Sequence, residues 1–140
     1  MTDVELVAKK LTVILACVHD LRTLGRPDAL ASDVREERFV EHTLQIAIQA
    51  ALDAASHIVS ERRLGEPRSN RDLFAALERD GWIAASLTTS LQAMAGFRNV
   101  LVHGYGEVDL GIVRDVVMHR LVDLEAFVDA LRARLPADGG

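Results

Sequence analysis

Arg38-Phe39-Val40-Glu41-His42-Thr43-Leu44-Gln45-Ile46-Ala47-Ile48-Gln49-Ala50-Ala51-Leu52-Asp53-Ala54-Ala55-Ser56-His57-Ile58-Val59 is the stretch that decides the fold. Within it Val40, Leu44, Ala47, Ile48, Ala51, Leu52, Ala55, Ile58 and Val59 recur at intervals that lay apolar side chains along one broad stripe of an α-helix. Upstream, Ser32 supplies a capping group, and Asp33, Glu36 and Glu37 place negative charge where a helix N-terminus favours it. The spacing therefore predicts one long helix from just after Ser32 to Glu61 or Arg62.

The flanking segments carry the same period. Val4, Val7, Leu11, Ile14, Leu15, Val18 and Leu21 predict a first helix over about Asp3 to Leu24, broken by Gly25-Arg26-Pro27-Asp28. After the loop Leu64-Gly65-Glu66-Pro67-Arg68-Ser69-Asn70, Ser69 or Asn70 can cap a short helix containing Leu73, Phe74 and Leu77, which Asp80-Gly81 ends. Leu87, Leu91, Met94 and Phe97 predict a fourth helix with its face to the core, in which Gly96 allows a kink or close packing. Leu110, Val113, Val117, Leu121, Leu124, Val128, Leu131 and Leu135 define a final helix whose expected partner is the long second one. With no period-2 run long enough to demand a sheet, the reading is all-α: a single-domain antiparallel helical bundle of about five helices over residues 1–135, with 136–140 a flexible tail.

Composition narrows the function. The chain has 140 residues, enough for one domain with a real core, and with 49% hydrophobic but only 4% aromatic residues that core must be aliphatic. A formal charge of −5 argues against a protein that coats nucleic acid nonspecifically, so any RNA contact is expected to be local. Cys17, the one cysteine, excludes an intrachain disulfide and reads as a buried small hydrophobe. Lys9-Lys10 before Leu11 to Val18 superficially resembles a signal peptide, but the acidic start at Asp3 and Glu5 and the return to His19-Asp20 fit an amphipathic helix better. No apolar run approaches the roughly 20 residues that cross a bilayer, and a cytoplasmic protein is expected. His19, His42 and His119 are scattered without metal-ligand spacing, and there is no phosphate-binding glycine loop or serine or cysteine nucleophile signature. Neither a catalytic metal nor a cofactor is expected.

One constellation carries chemistry. In Arg98-Asn99-Val100-Leu101-Val102-His103-Gly104-Tyr105 the polar side chains follow R-x-x-x-x-H-x-Y. Arginine is a permanent planar cation that grips a phosphodiester with paired hydrogen bonds, and histidine exchanges a proton near neutral pH. Five positions on an ideal helix turn a side chain by about 140° and advance it about 7.5 Å, so Arg98 and His103 do not share a face. They converge only if the helix stops near His103, as Gly104 suggests, and the guanidinium reaches forward. A helix C-terminus also attracts a cationic imidazole, which suits a general acid. RNA brings its own nucleophile, the 2′-hydroxyl, so cleavage needs only removal of that proton, protonation of the leaving oxygen and stabilisation of the crowded phosphate. One histidine serves both proton transfers poorly. A two-fold dimer would place two copies of Arg98 and His103 in one cleft. Asn99 can orient the histidine or the phosphate, and Tyr105 can donate a hydrogen bond or stack on a base. The plainer reading is a surface cation and a helix-end histidine.

Arg38-Phe39-Val40-Glu41-His42-Thr43-Leu44-Gln45-Ile46-Ala47-Ile48-Gln49-Ala50, Leu52-Asp53, His57-Ile58 and Met94-Ala95-Gly96-Phe97-Arg98-Asn99-Val100-Leu101-Val102-His103-Gly104-Tyr105 together resemble the HepT family, toxins of the HEPN superfamily. The similarity covers almost the whole chain. It implies a homodimeric HEPN-like bundle and the toxin of a type VII toxin–antitoxin pair, a metal-independent endoribonuclease with Arg98 and His103 as the catalytic pair at the dimer interface. It further implies an MntA-like nucleotidyltransferase antitoxin as partner and Tyr105 as the acceptor of adenylyl groups, whose bulk and charge beside the pair would repel RNA. The alternative from another class is a non-catalytic HEPN module that binds nucleotide or RNA and is partner and substrate of the transferase; a third reading is an inert helical adaptor. Arg38 and Glu41 form either an exposed pair or a charged lining of the cleft. Asp53 and His57 either buttress the motif or interact locally. The arginines Arg62, Arg63, Arg68 and Arg71 around the central loop touch RNA or an acidic antitoxin surface, or are simply solvated, and Trp82 reads as a packing anchor.

Overall fold

A computed structural model describes residues 3–104 and 108–136. Within them the chain forms α1 (Val4–Leu24), a 3-10 turn (Pro27–Ala29), α2 (Val34–Glu61), α3 (Asn70–Arg79), α4 (Ala85–His103), α5 (Leu110–His119) and α6 (Leu121–Arg134). The expected all-α architecture is present. Residues 137–140 of the expected tail lie outside the described residues.

α1 and α2 form an antiparallel hairpin, and polar side chains fasten it near both ends. Lys10 Nζ meets Asp53 Oδ2 at 3.1 Å, Asp53 Oδ1 accepts from Gln49, and His57 Nε2 accepts the Asp3 N–H at 3.0 Å. Asp53 and His57 thus brace α1 instead of the motif; the four-residue spacing put them on one face without saying which neighbour that face meets. At the other end the buried Glu36 carboxylate accepts the Arg26 N–H beyond the end of α1. The cap of α2 is Asp33, one residue past Ser32, with Oδ1 accepting the Arg35 N–H at 2.9 Å.

Two helix ends share one geometry. At α3, Gly81 takes φ +82 and Trp82 N–H donates to Leu77 O; at α2, Arg63 takes φ +54 and Leu64 N–H donates to Val59 O. This is the Schellman closure that glycine normally serves. An arginine in that conformation costs roughly 1–2 kcal/mol relative to glycine.

The expected final helix divides at Arg120 into α5 and α6. Buried Val113, Val116, Val117, Leu121, Leu124, Phe127, Val128 and Leu131 hold one apolar register, and no glycine or proline marks the break. The cause is tertiary. α5 is tied to the 3-10 turn by Arg114, whose Nε and Nη2 both reach Asp28 Oδ1, while α6 packs on α1, with Arg22 2.7 Å from Glu125. One straight axis does not meet both partners. α6 lies more against α1 than against α2, a correction to the expected pairing: periodicity identifies the buried face, not its neighbour.

The core is aliphatic, with Phe74 and Phe127 meeting edge-to-face at 5.9 Å. At the pole where α2, α3 and α6 end, Trp82 packs beneath Arg134 at 4.3 Å, and its indole N–H donates to Asp80 Oδ2. Arg62 Nε donates to the same oxygen at 2.8 Å, and Arg134 donates to the Asp80 carbonyl. The bond from Arg62, then that from Trp82, holds the Asp80 carboxyl below the usual carboxylate range. A depressed folded-state value makes the cluster stabilising above about pH 4, with the contribution lost as pH falls through the folded value. Asp80→Asn is therefore expected to lower the urea midpoint at pH 7, with the gap from wild type narrowing in acid. An equal gap at both pH values would contradict this account.

Candidate functional site

The site is built on α4. Leu91, Met94 and Ala95 are its buried stripe, and Arg98 follows three and four positions on, in the seat of a core residue. Its Nε is consequently buried, and it has no hydrogen-bond partner among the described residues. Nη1 donates to Asn99 Oδ1 at 3.3 Å, so Asn99 orients the guanidinium.

His103 is the last residue of α4, as the sequence predicts, and Gly104 follows with its N–H on Val100 O at 2.7 Å. A Cβ at Gly104 would stand 2.5 Å from that carbonyl oxygen, so the close exit from the helix requires glycine here. His103 is exposed, on the face shared by Gly96, Asn99 and Val100. No hydrogen bond or ion pair joins it to Arg98 among the described residues. Within one chain the structure brings Arg98 to Asn99 and leaves the imidazole on another side of the helix. Tyr105 lies outside the described residues, as does the exit turn expected at Gly106.

The face around His103 is low in relief. Gly96 is exposed, and a Cβ there would meet nothing within 4 Å, while Val100 is 47% exposed. Gly96 therefore makes no close packing within the chain. Their positions seven and three before His103 were the sequence signal for this face. Phe97, read as core, is only half-buried; with Met94 it lines a groove of about 410 Å³ against Ile112 and Val116 of α5.

Arg38 is exposed and Glu41 half-buried, one turn apart on α2. Burial first, then the charge of Glu37, pushes the Glu41 carboxyl above the usual range, against the pull of Arg38. The described bonds tie neither residue to Arg98 or His103. His19, His42 and His119 are exposed, and among the described residues no three histidine, cysteine or carboxylate side chains gather to hold a metal. No helix of the described residues is long and apolar enough to cross a membrane.

Comparison with known proteins gives these features a context. The sequence profile of the family described as Ribonuclease HepT-like matches residues 11–131. The mRNA nuclease HepT of Shewanella oneidensis is 34% identical over 130 residues, covering 92% of this chain and 98% of that protein. A crystal structure described as a toxin–antitoxin with AMP-PNP superposes with a TM-score of 0.87 at 33% identity, over 93% of this chain and 99% of the other. A structure of the tri-AMPylated Shewanella oneidensis HEPN toxin in complex with MNT antitoxin gives a TM-score of 0.85 at 34% identity, over 96% and 100% of the two chains.

Proposed function

Because the chain belongs to the HepT-like ribonuclease family, we propose that Arg98 and His103 perform its RNA cleavage in a cleft shared by two copies. The chain is a ribonuclease of the toxin–antitoxin kind. The observation that supports the assignment of the site is the placement on one helix, α4, of a half-buried Arg98 whose Nη1 is held by Asn99 and of an exposed His103 at its end. Asn99 steadies one arm of this guanidinium at the surface, and a phosphodiester oxygen is an acceptor that its planar fork fits.

In the reaction the 2′-oxygen bonds to phosphorus as its proton leaves to a base, the bond from phosphorus to the 5′-oxygen breaks, and that oxygen takes a proton from an acid. Arg98 stabilises charge on the non-bridging oxygens. With Arg98 and His103 on different sides of α4, a second copy is what brings an imidazole opposite a guanidinium and supplies separate base and acid. The low face of Gly96, Val100 and His103 allows a helix of that copy to approach closely. Two His103 side chains then share the two proton transfers.

Regulation follows from the same place. A nucleotidyltransferase antitoxin of the MntA kind transfers an adenylyl group to Tyr105: the phenol oxygen bonds to the α-phosphorus of ATP as its proton leaves to a base, and pyrophosphate departs. The transfer adds bulk and negative charge two residues beyond His103 in the motif, which is expected to repel RNA. Toxin and antitoxin meet in the cytoplasm, where the RNA substrate is found. The chemistry proposed uses side chains alone, so the purified dimer is expected to cut single-stranded RNA with undiminished rate in excess EDTA, leaving 2′,3′-cyclic phosphate ends. Strict dependence on added magnesium would refute this mechanism.

A further inference from the structure

Some cations of this acidic chain meet carboxylates, as Lys10 does Asp53, Arg22 Glu125 and Arg114 Asp28, while others such as Arg79 and Arg132 make no ion pair among the described residues. Arg63, Arg68 and Arg71, in and beside the α2–α3 connection, are all exposed, and none pairs with a carboxylate among the described residues. Of the two acidic residues in the same stretch, Asp72 is engaged by the Arg68 backbone N–H at 2.8 Å, and Glu66 is exposed.

Arg63 is also the residue kept in a left-handed conformation where glycine would be easier. Its side chain lines an open cleft of about 570 Å³ together with Ser56 and Ser60, which lie on the same face of the last turns of α2, and with one carboxylate, Glu66. Guanidinium and hydroxyl groups are the donors that hold phosphate oxygens of nucleic acids. A protein partner would bury an aliphatic or aromatic anchor. Of the large hydrophobic side chains that are exposed, Ile46 and Val100 are the nearest in sequence on either side, and none falls between them. Between Ile46 and Val100 the exposed surface thus offers guanidinium and hydroxyl donors and no large exposed hydrophobic side chain, which favours a phosphate backbone as the occupant.

Its place relative to His103 is fixed by α4. Arg62 binds Asp80 just ahead of that helix, and Gln92 Nε2, near the middle of α4, donates to the Arg71 carbonyl at 3.1 Å, eleven residues before His103. Eleven residues of α4 span about 16 Å, about five steps of a stacked strand at 3.4 Å each. We propose that Arg63, Arg68 and Arg71 form a second, sequence-independent contact for the backbone of RNA, remote from the catalytic pair and reached only by long substrates. The inference rests on the ribonuclease reading.

The test measures binding in the His103→Ala background, by fluorescence anisotropy with single-stranded RNAs of about 30 and about four nucleotides. Replacing the three arginines by glutamine is expected to weaken binding of the long RNA at least about tenfold and to reduce the slope of log Kd against log salt by about 2, at roughly 0.7 per phosphate contact. The short RNA is expected to bind as before, the lysine triple variant to keep the salt slope, and the thermal midpoint to hold. An unchanged slope for the long RNA, an equal loss for both lengths, or a parent protein that binds both alike overturns the proposal. So does intact RNA binding with loss of the nucleotidyltransferase, which would make this a protein interface. Failure of the ribonuclease reading shows separately, as absence of cleavage of either RNA by the wild-type chain.

Discussion

RNA cleavage is expected to fall about 10²–10⁴-fold when His103 is replaced by alanine, the range that positioned proton transfer contributes to catalysis. The fold should survive. His103 is exposed at the end of α4 and no described hydrogen bond depends on it, so its loss is expected to change stability by less than about 0.5 kcal/mol. Arg98→Ala is expected to abolish cleavage to a comparable degree by removing the charge that meets the phosphate, about 10²–10³-fold for a single transition-state donor. Because its Nε is buried without a partner, the truncation releases an unsatisfied donor, and it should destabilise the bundle far less than an ordinary core deletion. Arg98→Lys should not restore activity, since an ammonium lacks the planar fork that binds paired oxygens. Cleavage assays on refolding-competent variants decide the matter: wild-type rates in His103→Ala would end the assignment. A wild-type chain that cuts nothing yet accepts adenylyl groups would leave the non-catalytic binding module standing.

The second large effect is on stability. Phe127 is fully buried on α6 and meets Phe74 of α3 edge-to-face, with ring planes at 89°. Phe127→Ala removes that contact and opens a cavity between α3 and α6, at a cost of about 3–5 kcal/mol. In a chain of this size that lowers the thermal midpoint by more than about 10 °C. Calorimetry checks it. A shift of only a few degrees would mean that neighbouring leucines close the space. Cleavage at low temperature should persist, because Phe127 belongs to the frame and not to the reacting groups.

Much of the architecture could be read from periodicity. α2 ends at Glu61, within the expected limits, because its stripe is long and unbroken, and α4 stops at His103 because Gly104 is required there. The division at Arg120 left no trace in the residues themselves: Val117, Leu121 and Leu124 continue one apolar register, and only contacts with Asp28 on one side and α1 on the other separate the two axes. The same limit applied to Asp53 and His57, whose spacing was clear and whose partners, Lys10 and the Asp3 backbone, come from another helix. For the site, the motif named its residues, and the 140° expected between Arg98 and His103 on an ideal helix is matched by one being held inward and the other turned to solvent. That the arginine would be held in the core stripe was written in its offset from Met94 and Ala95, yet a charged residue at an apolar position is easily taken for the edge of the stripe.

Seating Arg98 among core residues ties injury to maturation. On the proposed assignment, a newly made or heat-loosened chain has no closed interior to steady the guanidinium and is expected not to cut RNA until the bundle has consolidated. A substitution that loosens the stripe around Met94 and Ala95 is then expected to lower cleavage without touching the proposed catalytic pair.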